Sequence, residues 1–150
     1  MTPLFILLIS FGLIFVINKF LLGGKLSLSF VGRISLALML LATGIAHFTD
    51  TDVMVELIPE FMPFKREIVY LTGVLELLST VGLLINKTAK LTSILLIIFF
   101  VSILPANIIG SIKQVNLGGM NYGTVYLFFR IPLQLLFIFW AYYFGIRLNK

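Results

Sequence analysis

Five long apolar segments constrain the fold of this chain more than any other feature of its sequence. They cover residues 3–22, 27–48, 67–86, 89–112 and 123–147. Each is close to the ~20 residues that an α-helix needs to cross about 30 Å of hydrocarbon. With 60% hydrophobic and only 11% charged residues, the chain is too apolar for an ordinary soluble domain. We therefore predict an all-α, polytopic membrane helix bundle with five transmembrane helices, forming one domain over residues 1–150.

The first apolar segment, "TPLFILLISFGLIFVINKF", has a second interpretation as a cleavable secretory signal. However, no basic residue precedes it, no small-x-small cleavage site lies near "LLGGK", and its charges follow it. These features favour a transmembrane helix, with the signal peptide as the alternative.

The charged residues are distributed unevenly among the connections. Seven of the eleven basic residues lie near the first connection, the third connection and the carboxyl end, with no acid among them: Lys19, Lys25, Arg33, Lys87, Lys90, Arg147 and Lys150. Five of the six acids lie around the second connection, at residues 50–67. Because Lys and Arg are enriched in cytoplasmic loops, we predict the amino terminus outside and the carboxyl terminus in the cytoplasm. The net charge of +5 therefore reports topology, and no nucleic acid partner is expected.

Two charged residues, Arg130 and Glu76, fall inside apolar segments instead of connections. Counted from the outer ends of their helices, Arg130 lies about 10 Å deep and Glu76 about 14 Å deep. A charge in hydrocarbon is costly unless it is paired, so we predict that Arg130 faces the bundle interior and bonds to Glu76, Asn107 or both. Gln134 lies one helical turn beyond Arg130 on the same face. The pair is either a structural clamp between helices or part of a working site.

Further polar residues lie toward the outer side of the predicted bundle. His47 ends the second apolar segment, and Asn107 lies near the outer end of the fourth. Pro105 cannot donate a backbone hydrogen bond to the Val101 carbonyl, so we expect a bend that opens space there. Together with Arg130, these residues predict a polar pocket that faces the outer surface. Taken singly, His47 and Asn107 are also explained by ordinary interhelical hydrogen bonds.

The loop between the second and third segments, "TDTDVMVELIPEFMPFKRE", alternates acids with large apolar residues. Its two prolines prevent one long helix. We predict a short interfacial helix over residues 51–57. We also expect residues 50–66 and the glycine-rich loop 113–122 to form a lid over the polar pocket, although ordinary loop packing is the alternative.

Several kinds of chemistry have no signature in this sequence. The chain has no cysteine and one histidine, which excludes thiol-disulfide exchange, iron-sulfur ligation, cysteine zinc sites and bis-histidine haem. No phosphate-binding glycine loop, catalytic serine arrangement, flavin motif or metal-ligand set is evident. We expect no metal.

Several short motifs, in this order and spacing, resemble the DoxX-like family of small bacterial integral membrane proteins. They are "TGIAHF" (43–48), "IPEFMPF" (58–64), "VYLTGVLELL" (69–78), "PAN" (105–107) and "RIPLQ" (130–134), within a match over about residues 31–147. The resemblance implies a four-helix core made by the second to fifth helices, with the segment 3–22 added to it. It also implies a bacterial cytoplasmic membrane, and it places His47, Glu76, Asn107, Arg130 and Gln134 on the family's recurrent polar positions.

The resemblance implies redox work near the quinone pool, because better-known relatives are associated with a thiosulfate:quinone oxidoreductase, with methylamine dehydrogenase maturation and with an oxidative-stress complex. This chain would then be a quinone-facing or anchoring subunit with a redox partner protein, and quinone or a small anionic ligand would bind Arg130. We expect His47 and Glu76 to handle protons, and Asn107 and Gln134 to orient the ligand. The alternatives are a membrane-embedded isomerase or other proton-transfer enzyme on a lipid-like substrate, and a non-enzymatic assembly factor.

Overall fold

The computed structural model describes residues 2–117 and 120–149, and it confirms an all-helical bundle. Five helical spans are long and apolar enough to cross a membrane: Thr2–Phe20, Leu28–Thr49, Lys65–Leu84, Asn86–Ile112 and Met120–Arg147. We name the α-helices α1 (Thr2–Phe20), α2 (Leu28–Thr49), α3 (Thr51–Val55), α4 (Lys65–Leu84), α5 (Asn86–Ser102), α6 (Leu104–Ile112) and α7 (Leu127–Tyr142). A 3-10 helix, Met120–Tyr126, leads into α7, and a π-helical turn, Tyr143–Arg147, follows it.

The fourth span is interrupted at Ile103, where α5 ends and α6 begins. Pro105 occupies the first turn of α6, a position where its missing N–H costs no intrahelical bond. The backbone bond from Ile103 N to Phe99 O, 3.0 Å, ends one helix, and the bond from Asn107 N to Ile103 O, 3.2 Å, starts the next. We expected a bend near Pro105, and the structure shows the helix interrupted two residues before it, at Ile103.

The hydrophobic core includes residues from α1, α2, α4, α5 and α7 and from the π-helical turn. Its buried side chains are Leu7, Leu36, Ala37, Met39, Leu40, Leu83, Leu96, Phe100, Leu133, Phe137, Trp140, Ala141 and Phe144. Helix α1 buries Leu7 and Asn18. Phe11 of α1 meets the edge of the Trp140 ring, with ring centroids 5.0 Å apart. Because Leu7 joins the same core, a four-helix core with the first helix as an addition stays a prediction.

The two ends of the bundle differ in charge. We call the end that carries residues 49–66 and 112–117 the acidic end. The opposite end, which carries residues 19–28, 84–90 and 147–149, is the basic end. Many large apolar side chains on the sides between them are exposed, such as Leu78 and Phe139. An apolar belt of this kind fits hydrocarbon and not water.

Candidate functional site

A close crossing of α2 and α4 brings the first two polar residues together. Gly44 and Gly73 face each other, so that a Cβ atom on Gly73 would lie 2.7 Å from His47 Cβ and 3.2 Å from Gly44 O. Small residues let two membrane helices approach closely enough for short side chains to bond across them. The imidazole of His47 therefore lies directly against α4.

His47 connects the backbone of α4 to the carboxylate of Glu76. Its Nδ1 lies 3.0 Å from the Val69 carbonyl oxygen and 3.1 Å from Thr72 Oγ1. Its Nε2 lies 3.5 Å from Glu76 Oε1. The Glu76 residue is 5% exposed, and its other oxygen bonds to the hydroxyl of Thr43. His47 and Glu76, expected as a proton-handling pair, are thus brought into contact.

The hydrogen-bond partners of this pair form one connected set. A bond from His47 Nδ1 to the Val69 carbonyl oxygen needs a hydrogen on that nitrogen, whereas the Thr72 hydroxyl can donate to the same nitrogen. The Thr43 hydroxyl, which also lies 3.2 Å from Met39 O, contacts the second oxygen of Glu76. His47 and Glu76 therefore lie in one chain of polar contacts that runs from Thr72 to Thr43.

Arg130 of α7 bonds to Asn107 of α6, one of its two expected partners. Arg130 Nη2 donates to Asn107 Oδ1 at 2.9 Å. Among the residues that the structure describes, Arg130 makes no ion pair with Glu76, so the expected direct fork is not formed. The Glu76 carboxylate is instead held by α2, through Thr43 and His47. Depth along the helix axes was compatible with a fork, but the two side chains bond to different helices.

Two N–H donors of this arginine and amide pair lack a partner. Arg130 Nε and Asn107 Nδ2 are buried, and neither finds an acceptor within residues 2–117 and 120–149. Asn107 is 5% exposed. Because a buried donor without an acceptor costs about 1–3 kcal/mol, such groups in a native protein call for water or a ligand.

Gln134 lies in the same interior but serves the backbone. It is 2% exposed, and its Nε2 donates to the Phe100 carbonyl oxygen at 2.6 Å. Phe100 lies in the last turn of α5, just before the interruption at Ile103. Gln134 therefore ties α7 to the end of α5, which supports a positioning role more directly than a ligand contact.

A small cavity of about 50 Å³ borders part of this site, and neither His47 nor Asn107 lines it. Glu76, Thr43, Arg130 and Gln134 form its polar lining; its other lining residues are Pro3, Met39, Leu40, Phe100, Ile103 and Phe137. This volume has room for about two waters. Glu76 and Arg130 thus share a water-sized space even though they form no direct ion pair.

The two loops at the acidic end do meet, but not over this cavity. The predicted short helix is present as α3, and Lys113 Nζ donates to Glu60 Oε1 at 3.2 Å. Leu57 covers Gly110, where an added Cβ would lie 2.3 Å from Leu57 Cδ2. Of the described residues in 50–66 and 113–122, none lines the cavity, while Pro3 of α1 does; residues 118 and 119 lie outside the described residues. The expectation that the loops cover the polar pocket is therefore not met by the parts described.

Sequence reasoning did not single out the threonines of the site. Thr43 precedes His47 by one turn on α2, and Thr72 precedes Glu76 by one turn on α4. That i, i+4 spacing was the available signal, because it places each hydroxyl on the same face as an ionisable residue. Within the described part of the chain, no three His, Asp or Glu side chains come together as a metal site.

The fold and this site define a small polytopic membrane protein that encloses a His–Glu pair and a buried arginine in the half nearer its acidic end. A family model described as a domain of unknown function (DUF8561) matches residues 36–145. Since this match covers most of the chain, the protein belongs to that family. The matched residues include parts of α2, α4, α5 and α7 and every polar residue of the site. No curated protein and no solved structure matches the chain.

Proposed function

We propose that this protein is a quinone-facing subunit of a redox system in the bacterial cytoplasmic membrane. In this proposal Arg130 and Asn107 hold a carbonyl oxygen of the quinone, and the Glu76–His47 pair exchanges protons with it. The observation that carries the proposal is the pair of buried, unpartnered donors, Arg130 Nε and Asn107 Nδ2, near a carboxylate that lines the same cavity as the arginine.

The donors select the chemistry of the ligand. Two N–H groups without acceptors favour a ligand that brings lone pairs, such as a carbonyl or an anionic oxygen. The surrounding lining is apolar, with Ile103 and Phe137 at the cavity. A quinone satisfies both requirements, since its carbonyl oxygen accepts hydrogen bonds and its ring and tail dissolve in the bilayer.

The size of the cavity limits how such a ligand would sit. A space of about 50 Å³ is far below the roughly 300 Å³ of a pocket that encloses a whole organic ligand. Only the carbonyl edge of the ring would enter and displace the waters. The rest of the ring would lie against the apolar side chains and in lipid.

The contact between Glu76 and His47 suits reduction of a quinone. A quinone that receives two electrons also takes up two protons and becomes a quinol. In this proposal the two electrons come from a redox partner protein. Glu76 would first give a proton to the quinone oxygen. His47 would then take up a second proton from the acidic end and pass it on through Glu76. The resemblance to the DoxX-like family supports the same class of role.

The first experiment is mass spectrometry of small molecules extracted from the detergent-purified protein, followed by titration with a short-chain ubiquinone analogue. We expect a copurified quinone and saturable binding. Arg130→Met and Asn107→Leu should each weaken binding by about tenfold, the loss of one good hydrogen bond to a buried acceptor. Arg66→Met is the matched control, because it removes an arginine that pairs with Asp52 at the exposed acidic end.

The other outcomes separate the competing functions. A copurified lipid without quinone would favour the isomerase. A small anion that competes at Arg130 would favour an anionic ligand. The proposal would be contradicted if the stable protein retained neither quinone nor lipid and if both variants bound the analogue as the original protein does. That result would favour an assembly factor.

A further inference from the structure

A second polar pocket lies at the basic end, far from the His47–Glu76 pair. It is open, with a volume of about 460 Å³. Its lining residues are Ser27, Ser29, Arg33, Asn86, Lys87, Lys90, Leu148 and Asn149. The proposed redox function does not use any of them.

The charge of this pocket has no side-chain counterion. Arg33, Lys87 and Lys90 contribute three positive charges, and all six acidic residues of the sequence fall between residues 50 and 76. The bias of basic residues toward one side of the membrane explains exposed lysines in a loop. It does not explain why a buried arginine joins them.

Arg33 is the buried centre of the pocket, at 3% exposure. Its Nη1 donates to the Leu83 carbonyl oxygen at 3.1 Å and its Nη2 to Asn86 Oδ1 at 2.6 Å. Its Nε is buried and finds no partner among the described residues. The guanidinium is thus held in place by neutral oxygens, which orient it but do not neutralise its charge.

The backbone offers further donors at this pocket. Helices α2 and α5 both begin here, at Leu28 and Asn86, while α4 ends here at Leu84, so the helix dipoles partly cancel. Ser27 caps α2 by accepting from Phe30 N at 3.2 Å. Helix α5 has no side-chain cap, because its N-cap residue is Ile85. Thr88 N bonds to Ile85 O at 3.1 Å, which leaves the N–H groups of Asn86 and Lys87 as backbone donors.

We propose that this pocket binds a phosphate group. An oriented arginine, two lysines, an uncapped helix start and the Ser27 hydroxyl are groups of the kind that bind phosphate oxygens in proteins; the Ser29 hydroxyl donates to Phe144 O at 2.7 Å instead. The phosphate could be carried by an anionic phospholipid, since basic pockets between helix ends at the membrane boundary suit lipid headgroups. A soluble phosphate compound presents the same chemistry, so the experiment is designed to separate the two.

The test is native mass spectrometry of the full chain in a non-ionic detergent, with melting temperature as a second measurement. The three probes are phosphatidylglycerol, phosphatidylcholine and inorganic phosphate. We expect phosphatidylglycerol to bind and raise the melting temperature, and phosphatidylcholine to bind at least tenfold more weakly. The double variant Lys87→Gln/Lys90→Gln should reduce phosphatidylglycerol binding at least tenfold. Both lysines are exposed, so this variant should fold.

The matched control is Lys19→Gln/Lys25→Gln, which removes two exposed charges at the same end but outside the pocket. It should change binding less than twofold. Displacement of phosphatidylglycerol by millimolar inorganic phosphate would identify a soluble phosphate compound as the ligand class, and resistance to displacement would identify the lipid. Equal losses in the two double variants would overturn the proposal, because binding would then follow diffuse surface charge. Absence of binding by all three probes would overturn it as well.

Discussion

Replacing Glu76 with leucine and Arg130 with methionine, singly and together, measures how strongly the two buried charges interact across their cavity. One bridging water with two hydrogen bonds spans about 5.5 Å. At an effective dielectric constant of about 20, two unit charges at that distance attract by about 3 kcal/mol. Each single variant should lose roughly this amount of unfolding free energy, because the remaining charge stays buried without its counterion. Arg130 would keep its bond to the neutral Asn107 side chain, which does not replace the lost counterion.

The double variant should cost much less than the sum of the two single changes, with a coupling of about 3 kcal/mol. Reversible unfolding by SDS in mixed micelles supplies the four free energies. Arg33→Met combined with Glu76→Leu is the control, because Arg33 is buried at the opposite end and its coupling to Glu76 should stay below about 0.5 kcal/mol. Additive losses for Glu76 and Arg130 would refute the electrostatic link, since a protonated Glu76 or a wider separation would remove it.

Three further predictions concern packing, pH and topology. Gly145→Ala should lower the free energy of unfolding by about 1–3 kcal/mol, because the added Cβ would lie 1.8 Å from the Oγ of a buried serine of α5. Gly12→Ala is the control and should be neutral in the same unfolding assay, since its added Cβ would have no neighbour within 4 Å. The hydrogen bond from Lys113 holds the pKa of Glu60 below its ordinary value. The contact between the two loops therefore stabilises the protein at pH values above that ordinary pKa, and this stabilisation is lost as the pH falls through the lowered pKa. Hydrogen exchange of the loops should rise on acidification and should not do so in Glu60→Gln. A cysteine at Thr88 should resist an impermeant thiol reagent added from outside, and labelling there would reverse the orientation of the whole bundle.

The five spans were predictable from the sequence because length and hydropathy decide whether a helix crosses a bilayer. The interruption near Pro105 was also predictable, since proline lacks a backbone donor. Both properties are local, and each can be evaluated without knowing which helices are neighbours.

The partners of Glu76 were not predictable in the same way. Counting residues from the helix ends placed Arg130 and Glu76 at similar depths in the membrane. Depth alone does not show toward which neighbouring helix a side chain points. The contact of Glu76 with Thr43 and His47 depends on how closely α2 and α4 cross. That crossing is set by Gly44 and Gly73, whose effect appears only once the two helices are packed together.

The layer of buried leucines between the two ends bears on proton leakage in the proposed function. Leu36, Leu83 and Leu96 are at most 2% exposed, and on their helices they lie between residues of the Glu76 cavity and the basic end. Ser35 is buried at the same level, but its hydroxyl bonds to Val31 O of its own helix. Hydrocarbon side chains offer no hydrogen-bonded path along which a proton could hop. In the proposed function, this layer would restrict proton exchange to the acidic end and would prevent the protein from short-circuiting a transmembrane proton gradient.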